Sequence, residues 1–235
     1  MNNQFSRTEI LLGRESIHKL SSKCVMIFGL GGVGGYVAEM LARSGVAKFV
    51  LVDSDTVDIT NLNRQILATH STIGMLKTEV AKNRIKEINP NAEVKIKNLF
   101  YLPKDKDVID FNNCDYVVDA IDTITSKIDI AMKCSEKGIP LISSMGAGNR
   151  INPNNVIITD IYKTENDPLA KVMRYELKKR GIKKLKVCFS KEKALTPLEK
   201  IVNEETGKEV PGSSPFVPAI FGIVIASEVV KELLN

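Results

Sequence analysis

A short apolar run, Cys24–Phe28, leads directly into Gly29-Leu-Gly31-Gly32-Val-Gly34 and then into a stretch with helical spacing from about Val33 to Arg43 that stops at Gly45. Gly29, Gly31 and Gly34 form G-x-G-x-x-G between a strand and a helix, the context that gives the pattern physical meaning. The glycines permit a tight turn and close backbone approach to phosphate, and the helix N-terminus offers free N–H groups and a positive dipole end to an anion. The next apolar strand, AKFVLVD, ends in Asp53, 24 residues after Gly29 and placed to accept hydrogen bonds from ribose hydroxyls. These features specify a nucleotide without saying which one. On the loop alone, a nicotinamide-dependent dehydrogenase fits well.

Beyond this unit, strand and helix patterns keep alternating. Lys77 to Ile88 has helical spacing and stops at Asn89-Pro90, EVKIKN alternates as a strand, and DYVVDAID is a buried strand with Asp119 and Asp122 at its carboxyl end. SKIDIAMKCSEKG reads as a helix and IPLISS as a strand. After Gly146 follow a strand at NVIITDIY, a basic helix from Pro168 to Arg180 and a strand from Leu185 to Phe189. A loop-rich span at 195–215 with a turn-like ETGKEVPGSS precedes a buried terminal helix running from Phe216 through SEVVKELL. The expected fold is α/β: a Rossmann-like, mostly parallel sheet with helices on both faces, plus a smaller C-terminal extension. Residues 1–150 form the nucleotide-binding core in this reading. Residues 151–235 form a substrate-binding extension and a terminal helix that packs on the same domain.

Composition narrows the setting. The 235 residues are 43% hydrophobic and 26% charged, enough for a full core. The run Phe216 to Ala226 is too short for a membrane span, and MNNQFSRTEI has neither the basic start nor the apolar stretch of a signal peptide. Cys24, Cys114, Cys134 and Cys188 form no CxxC pair, which points away from a zinc ribbon or redox dithiol and toward a reducing cytoplasm. The net charge of +5 is unevenly spread: residues 171–193 hold ten Lys and Arg against two Glu, leaving the remainder slightly acidic. Such a cluster is either a solvated face or a surface for nucleic-acid phosphates.

The stretch after Asp53 departs from what hydride transfer needs. Asp53-Ser-Asp55-Thr-Val-Asp58 leads to Asn61-Leu-Asn63-Arg64-Gln65, and Lys77 opens the next helix. A carboxylate attacking the α-phosphate of ATP meets like charge, and cations must offset that repulsion and the charge of departing pyrophosphate. Arg64 and Lys77 are candidates for that charge, Asn61 for a neutral donor and Asp122 for a magnesium ligand. Taken singly, Lys77 reads as a solvated helix residue, Asn61 as a turn residue and Asp122 as an N-cap. Their joint occurrence behind a nucleotide loop favours carboxylate adenylation.

GLGGVG, DSDTVDITNLNRQ, Lys77 and DAID together resemble the ubiquitin-activating-enzyme superfamily of adenylating proteins. The resemblance implies ATP and Mg as cofactors, with Asp53 on the ribose, Asn61, Arg64 and Lys77 on the phosphates and Asp122 organising magnesium. Gly29, Gly31, Gly32, Gly34 and Asp55 complete the implied nucleotide-binding set. FSRTEILLG resembles the superfamily's N-terminal segment, which implies a homodimer in which Arg7 acts in the partner's site; a frayed terminal residue is the alternative. The sulfur-carrier branches carry paired CxxC motifs and the long ubiquitin-activating enzymes a cysteine domain, and neither is present.

SMGAGNRINP, TENDPLAKVMR, VCFSKE and GSSPFVPAIFGIVIASEVV resemble the bacterial tRNA threonylcarbamoyladenosine dehydratases. This implies adenylation of the carboxylate of a modified adenosine beside the tRNA anticodon, followed by ring closure and loss of AMP. An enzyme nucleophile is then unnecessary, because the second step is intramolecular. Cys188 reads as an inert strand cysteine, with a thiol acceptor in a sulfur relay, and hence a sulfur-relay protein partner, as the alternative. The rival functions are activation of a ubiquitin-like or sulfur-carrier protein, nicotinamide-dependent hydride transfer, and a non-catalytic nucleotide sensor. The second rival lacks a catalytic histidine, since neither His18 nor His70 falls at a strand end.

Overall fold

The computed structural model describes residues 3–105, 108–202, 207 and 209–235. Residues 203–206 and 208, within the loop-rich span expected at 195–215, lie outside the described residues. Seven strands form one sheet: β1 (Cys24–Phe28), β2 (Lys48–Val52), β3 (Glu93–Lys97), β4 (Tyr116–Asp119), β5 (Leu141–Ser144), β6 (Val156–Asp160) and β7 (Lys186–Ser190). Their order is β3-β2-β1-β4-β5-β7-β6, parallel throughout except that β6 runs antiparallel to β7. The chain winds outward from β1 through β2 and β3, then returns to lay β4 and β5 on the other side. The point where the winding reverses, between β1 and β4, is where such sheets open a crevice at their carboxyl ends. The β6/β7 inversion is not visible in the sequence, where both strands read as equivalent apolar runs.

The helices are α1 (Ser6–Leu12), α2 (Arg14–Ser22), α3 (Gly34–Ser44), α4 (Lys77–Ile88), α5 (Ile124–Lys137), α6 (Pro168–Lys179) and α7 (Phe216–Leu234). Apolar residues of α2, α3, α4 and α7 pack on one face of the sheet, and those of α5 and α6 on the other. Gly45 ends α3 and Gly138 ends α5 in the left-handed conformation that spares a Cβ. The helices between residues 6 and 22 have little signal in the sequence. α1 buries none of its residues, and α2 turns only Ile17 and Leu20 inward, so the apolar period there is weak.

The α3–α7 contact is unusually close. A Cβ on Gly222 would lie 2.5 Å from Tyr36 Cβ and 2.6 Å from the Val33 carbonyl oxygen. Gly222→Ala therefore pushes α7 off α3, and urea unfolding should report a loss of about 1–3 kcal/mol despite the better helix former. The neighbouring Ile223→Ala, at a site 38% exposed, should change stability far less.

Candidate active site

One cleft of about 780 Å³ opens at the carboxyl ends of β1, β2, β4 and β5. Its walls include Gly29, Gly31, Gly32, Asp53, Asp55, Asn61, Arg64, Lys77 and Asp122, all singled out from the sequence. Two expected residues stand elsewhere. Gly34 is absent from the wall because it faces the strand: a Cβ there would meet the Gly29 carbonyl oxygen at 1.8 Å, so only glycine lets α3 start this near β1. Arg7 is exposed on α1 and does not line its own chain's cleft.

Asp53 anchors the first wall. Its Oδ2 accepts from Leu30 N at 2.6 Å and its Oδ1 from Asp55 N at 2.8 Å, locking the glycine turn to the end of β2. Burial raises its pKa above the ordinary carboxylate value, opposed by these two N–H bonds. Each oxygen retains a lone pair for a hydroxyl donor.

Lys77 reaches the cleft because the chain between it and Asp53 doubles back. Thr56 bridges Leu76, Val57 N donates to Met75 O, and Gly74 N donates to Val57 O. The Lys77 side chain is only 7% exposed and its Nζ lies 2.8 Å from Asp55 Oδ2. The solvated-helix alternative for Lys77 is thereby overturned, since an ammonium this enclosed needs an anionic partner. Asn61 does serve a turn, accepting from Asp58 N through Oδ1 at 3.2 Å. Its amide nitrogen makes only a long 3.5 Å contact with Thr60 Oγ1 and keeps donor capacity at the cleft. Arg64 is braced by Thr60 O at 2.8 Å and Asn63 Oδ1 at 2.9 Å, both through Nη1, which leaves its other N–H groups to face an anion. Asp122 does not cap α5; that position belongs to Thr123. It stands free on the rim beside the glycine turn.

Several residues that shape the cleft carry no local signal in the sequence. Gln65 is 7% exposed, and its Oε1 is the one buried side-chain polar atom without a hydrogen-bond partner among the described residues. An orphaned acceptor in a cleft wall calls for a donor from a bound molecule. Lys127, fully buried, donates to Ile121 O at 3.1 Å and Ser144 O at 2.8 Å and pairs with Asp119 at 2.9 Å. It ties together the carboxyl ends of β4 and β5. Arg150 and Asp167, both buried, brace the far end of the cleft. Arg150 donates to Gly146 O, Asn166 O and Glu192 O, while Asp167 accepts from Gly146 N and caps α6 through Ala170 N. Only spatial proximity reveals these roles, because the pairings of Lys127 with Ser144, Asp167 with Gly146 and Arg150 with Glu192 join residues 17, 21 and 42 positions apart.

The residues fit a nucleoside triphosphate. A Cβ on Gly32 would meet Pro218 Cβ at 3.1 Å and Arg64 Cγ at 3.5 Å, so the turn leaves a cradle of bare backbone beside the arginine. Among the described residues, no hydrogen bond is made by the N–H of Gly31 or Gly32. No group of three or more His, Cys, Asp and Glu forms a metal cage among the described residues. Asp122 would hold Mg together with phosphate oxygens, the usual arrangement for that ion at nucleotide sites.

Cys188 lies in β7 with no exposed surface, and burial pushes its thiol pKa up. A thiol so placed is neither accessible nor ionised, which favours the inert reading. In the native protein Cys188 should resist a thiol reagent at mildly alkaline pH and react only on unfolding. Peptide mass spectrometry after alkylation would show this, and rapid native labelling would restore the acceptor alternative.

Comparisons with known proteins match this geometry. The ThiF family model matches residues 5–235. The chain is 44% identical to tRNA threonylcarbamoyladenosine dehydratase of Bacillus subtilis (strain 168), covering 100% of this chain and 96% of that protein. It is 33% identical to the protein of the same name in Escherichia coli (strain K12), covering 98% and 93%. The crystal structure of E. coli tRNA N6-threonylcarbamoyladenosine dehydratase in complex with ATP superposes with a TM-score of 0.88 at 32% identity, covering 98% of this chain and 93% of that one. The AMP complex gives a TM-score of 0.89. With its glycine turn, its cation-lined cleft and relatives aligned from end to end, the chain belongs to the ThiF family, among the tRNA threonylcarbamoyladenosine dehydratases.

Proposed function

We propose that this protein is an ATP-dependent dehydratase that activates the carboxylate of threonylcarbamoyladenosine in tRNA and closes it to the cyclic form. The observation that carries this reading is the extent of the cleft. Besides the glycine turn, Asp53, Arg64 and Lys77, the same cleft is lined by Ser144, Gly146, Gly148, Asn149, Pro211 and Ser213. A nucleotide at the glycine turn leaves that part of the lining for an acceptor.

ATP supplies the adenylyl group that turns a poor leaving oxygen into AMP. The glycine turn and Asp53 fix the nucleoside end. Arg64 and Lys77 offset negative charge where the carboxylate meets the α-phosphate, and Asn61 and Gln65 add neutral contacts. Asp122 would hold magnesium at the rim, where the ion would offset phosphate charge. Attack by the side chain's own nitrogen then closes the ring at high effective molarity, so the protein needs only to hold the group and exclude water. Residues 1–150 serve the nucleotide in this reading, and residues 151–235 serve chiefly the RNA. The exposed lysines at 171, 178, 179, 183 and 184 suit a phosphate backbone. Among the described residues no helix is long and apolar enough to cross a membrane. The four free thiols suit the reducing cytoplasm of this reading. A sulfur-relay partner has no support at Cys188.

Mass spectrometry of nucleosides from tRNA incubated with protein and ATP tests the activity. The expected product is the substrate nucleoside less one water, accompanied by AMP and pyrophosphate. An unchanged nucleoside pool would overturn the reading. Lys77→Ala should lower turnover by about 10²–10³-fold, the range for removing one preorganised electrostatic donor.

The active unit in this reading is a homodimer. Arg7 is unoccupied by its own cleft, and the exposed Ile10 and Leu11 beside it give α1 an apolar face suited to a second copy. Mixing Arg7→Ala with Lys77→Ala protein should then restore activity through hybrid dimers with one intact site. Absence of rescue after demonstrated subunit exchange would leave Arg7 without a role in trans.

A further inference from the structure

The inward face of α6 is Ala170, Met173 and Leu177, all fully buried. Its opposite face therefore carries Pro168, Val172, Tyr175 and Lys179, spaced i, i+4, i+7 and i+11 along one stripe. The stripe begins at the cleft, where Pro168 forms part of the wall. Tyr175 stands two turns away, about 10 Å along the helix axis. It is 64% exposed and Val172 is 41% exposed, an apolar plane left open to solvent. Lys179 Nζ lies 5.5 Å from the Tyr175 ring centroid, and Lys171 and Lys178 are exposed on the flank.

We propose that this stripe is a stacking platform for an unpaired RNA base next to the modified adenosine, with Tyr175 as the stacking ring. The inference rests on the RNA reading above and names the feature of RNA that α6 recognises. Unpaired loop bases are splayed onto aromatic side chains in sequence-specific RNA recognition, whereas paired stems offer mainly phosphates and sugar hydroxyls. An aromatic plane interleaved with lysines meets both parts of a single strand, its bases and its backbone. The position fits as well: with the target nucleoside in the cleft, the adjoining strand leaves across Pro168 and runs onto Tyr175.

Stacking and phosphate contact separate by salt. Phosphate binding weakens steeply with added salt through counterion release, whereas stacking contributes alike at every concentration. The probe is an anticodon stem–loop RNA bearing threonylcarbamoyladenosine, titrated without ATP over a salt series. Tyr175→Ala should weaken binding about tenfold throughout, with the salt slope unchanged, and Tyr175→Phe should bind as the parent does. Lys178→Ala with Lys179→Ala should instead reduce the slope. The chain has no tryptophan, so Tyr175→Trp introduces a lone fluorophore that the RNA should quench and ATP should not. Normal affinity of Tyr175→Ala, a loss that vanishes at high salt, or an unquenched tryptophan would overturn the platform while leaving the dehydratase reading intact. If the parent itself neither binds nor converts this RNA, the dehydratase reading falls and the platform falls with it.

Discussion

The approach of Gly34 to the Gly29 carbonyl governs the rest of the molecule. Because no Cβ intervenes, α3 begins where β1 ends, and the turn between them presents bare backbone to the cleft. The position of α3 then dictates that of α7, since Gly222 packs against Val33 and Tyr36 without a side chain of its own. The chain entering α7 brings Pro211, Gly212 and Ser213 to the same cleft. Asn63 Nδ2 donates to Ser213 O at 3.0 Å, joining that stretch to the segment that carries Arg64. One steric allowance at the first strand thus propagates through two helices to the place where an acceptor would sit.

Buried charge performs the complementary task at the far side. Lys127 and Asp119 are each enclosed, and an unpaired charge in either place would be severely destabilising. They persist because every strong group is matched: the ammonium meets two carbonyls and the carboxylate, and the carboxylate also accepts from Ser143 Oγ at 2.5 Å. Such a pair adds little net stability over an apolar substitute, but it fixes direction where apolar contacts would not. Arg150 and Asp167, 3.5 Å apart, repeat the device in the wall of the cleft. There the two left-handed non-glycine residues of the described chain, Asn149 and Asn166, each immediately precede one partner of the pair. Asparagine tolerates that conformation better than most residues, and Asn149 uses its side chain to accept from Gly212 N at 2.7 Å.

What was legible in the sequence follows from the range of the interactions concerned. β1, the glycine turn, α3 and its stop at Gly45 are decided within a few residues of one another, and the pattern shows them. α4 could be bounded at Lys77 and Ile88 because a proline follows and the apolar period is regular. That Asp53, Asp55, Asn61, Arg64 and Lys77 share one cleft with the glycine turn was legible too, since they follow two consecutive strands and share one chemical demand. Lys127, Arg150, Asp167 and the orphaned Gln65 were not, because nothing local separates a buried lysine in SKIDIAMK from a solvated one. The exchange of β6 and β7 was hidden for the same reason: order within a sheet is settled by long-range pairing, whose partners a strand's own residues do not name. α1 left no amphipathic trace because its apolar residues face outward, away from any core in the chain.

The charge distribution ties these levels together. The cleft holds its cations singly and under restraint, Lys77 against Asp55 and Arg64 against carbonyl oxygens, so each is oriented before an anion arrives. The exposed lysines of α6 and the turn after it are numerous and mostly unrestrained, as suits a long polyanion met in many registers. Restrained cations discriminate geometry; free ones gather charge. In the proposed reading, recognition of both a triphosphate and a folded RNA needs the two kinds apart. The boundary between them falls at Pro168, where the cleft wall becomes the first turn of α6. That helix is capped by Asp167, whose other oxygen holds the Gly146 loop, so one carboxylate fixes both the start of the basic helix and the Gly146 side of the cleft.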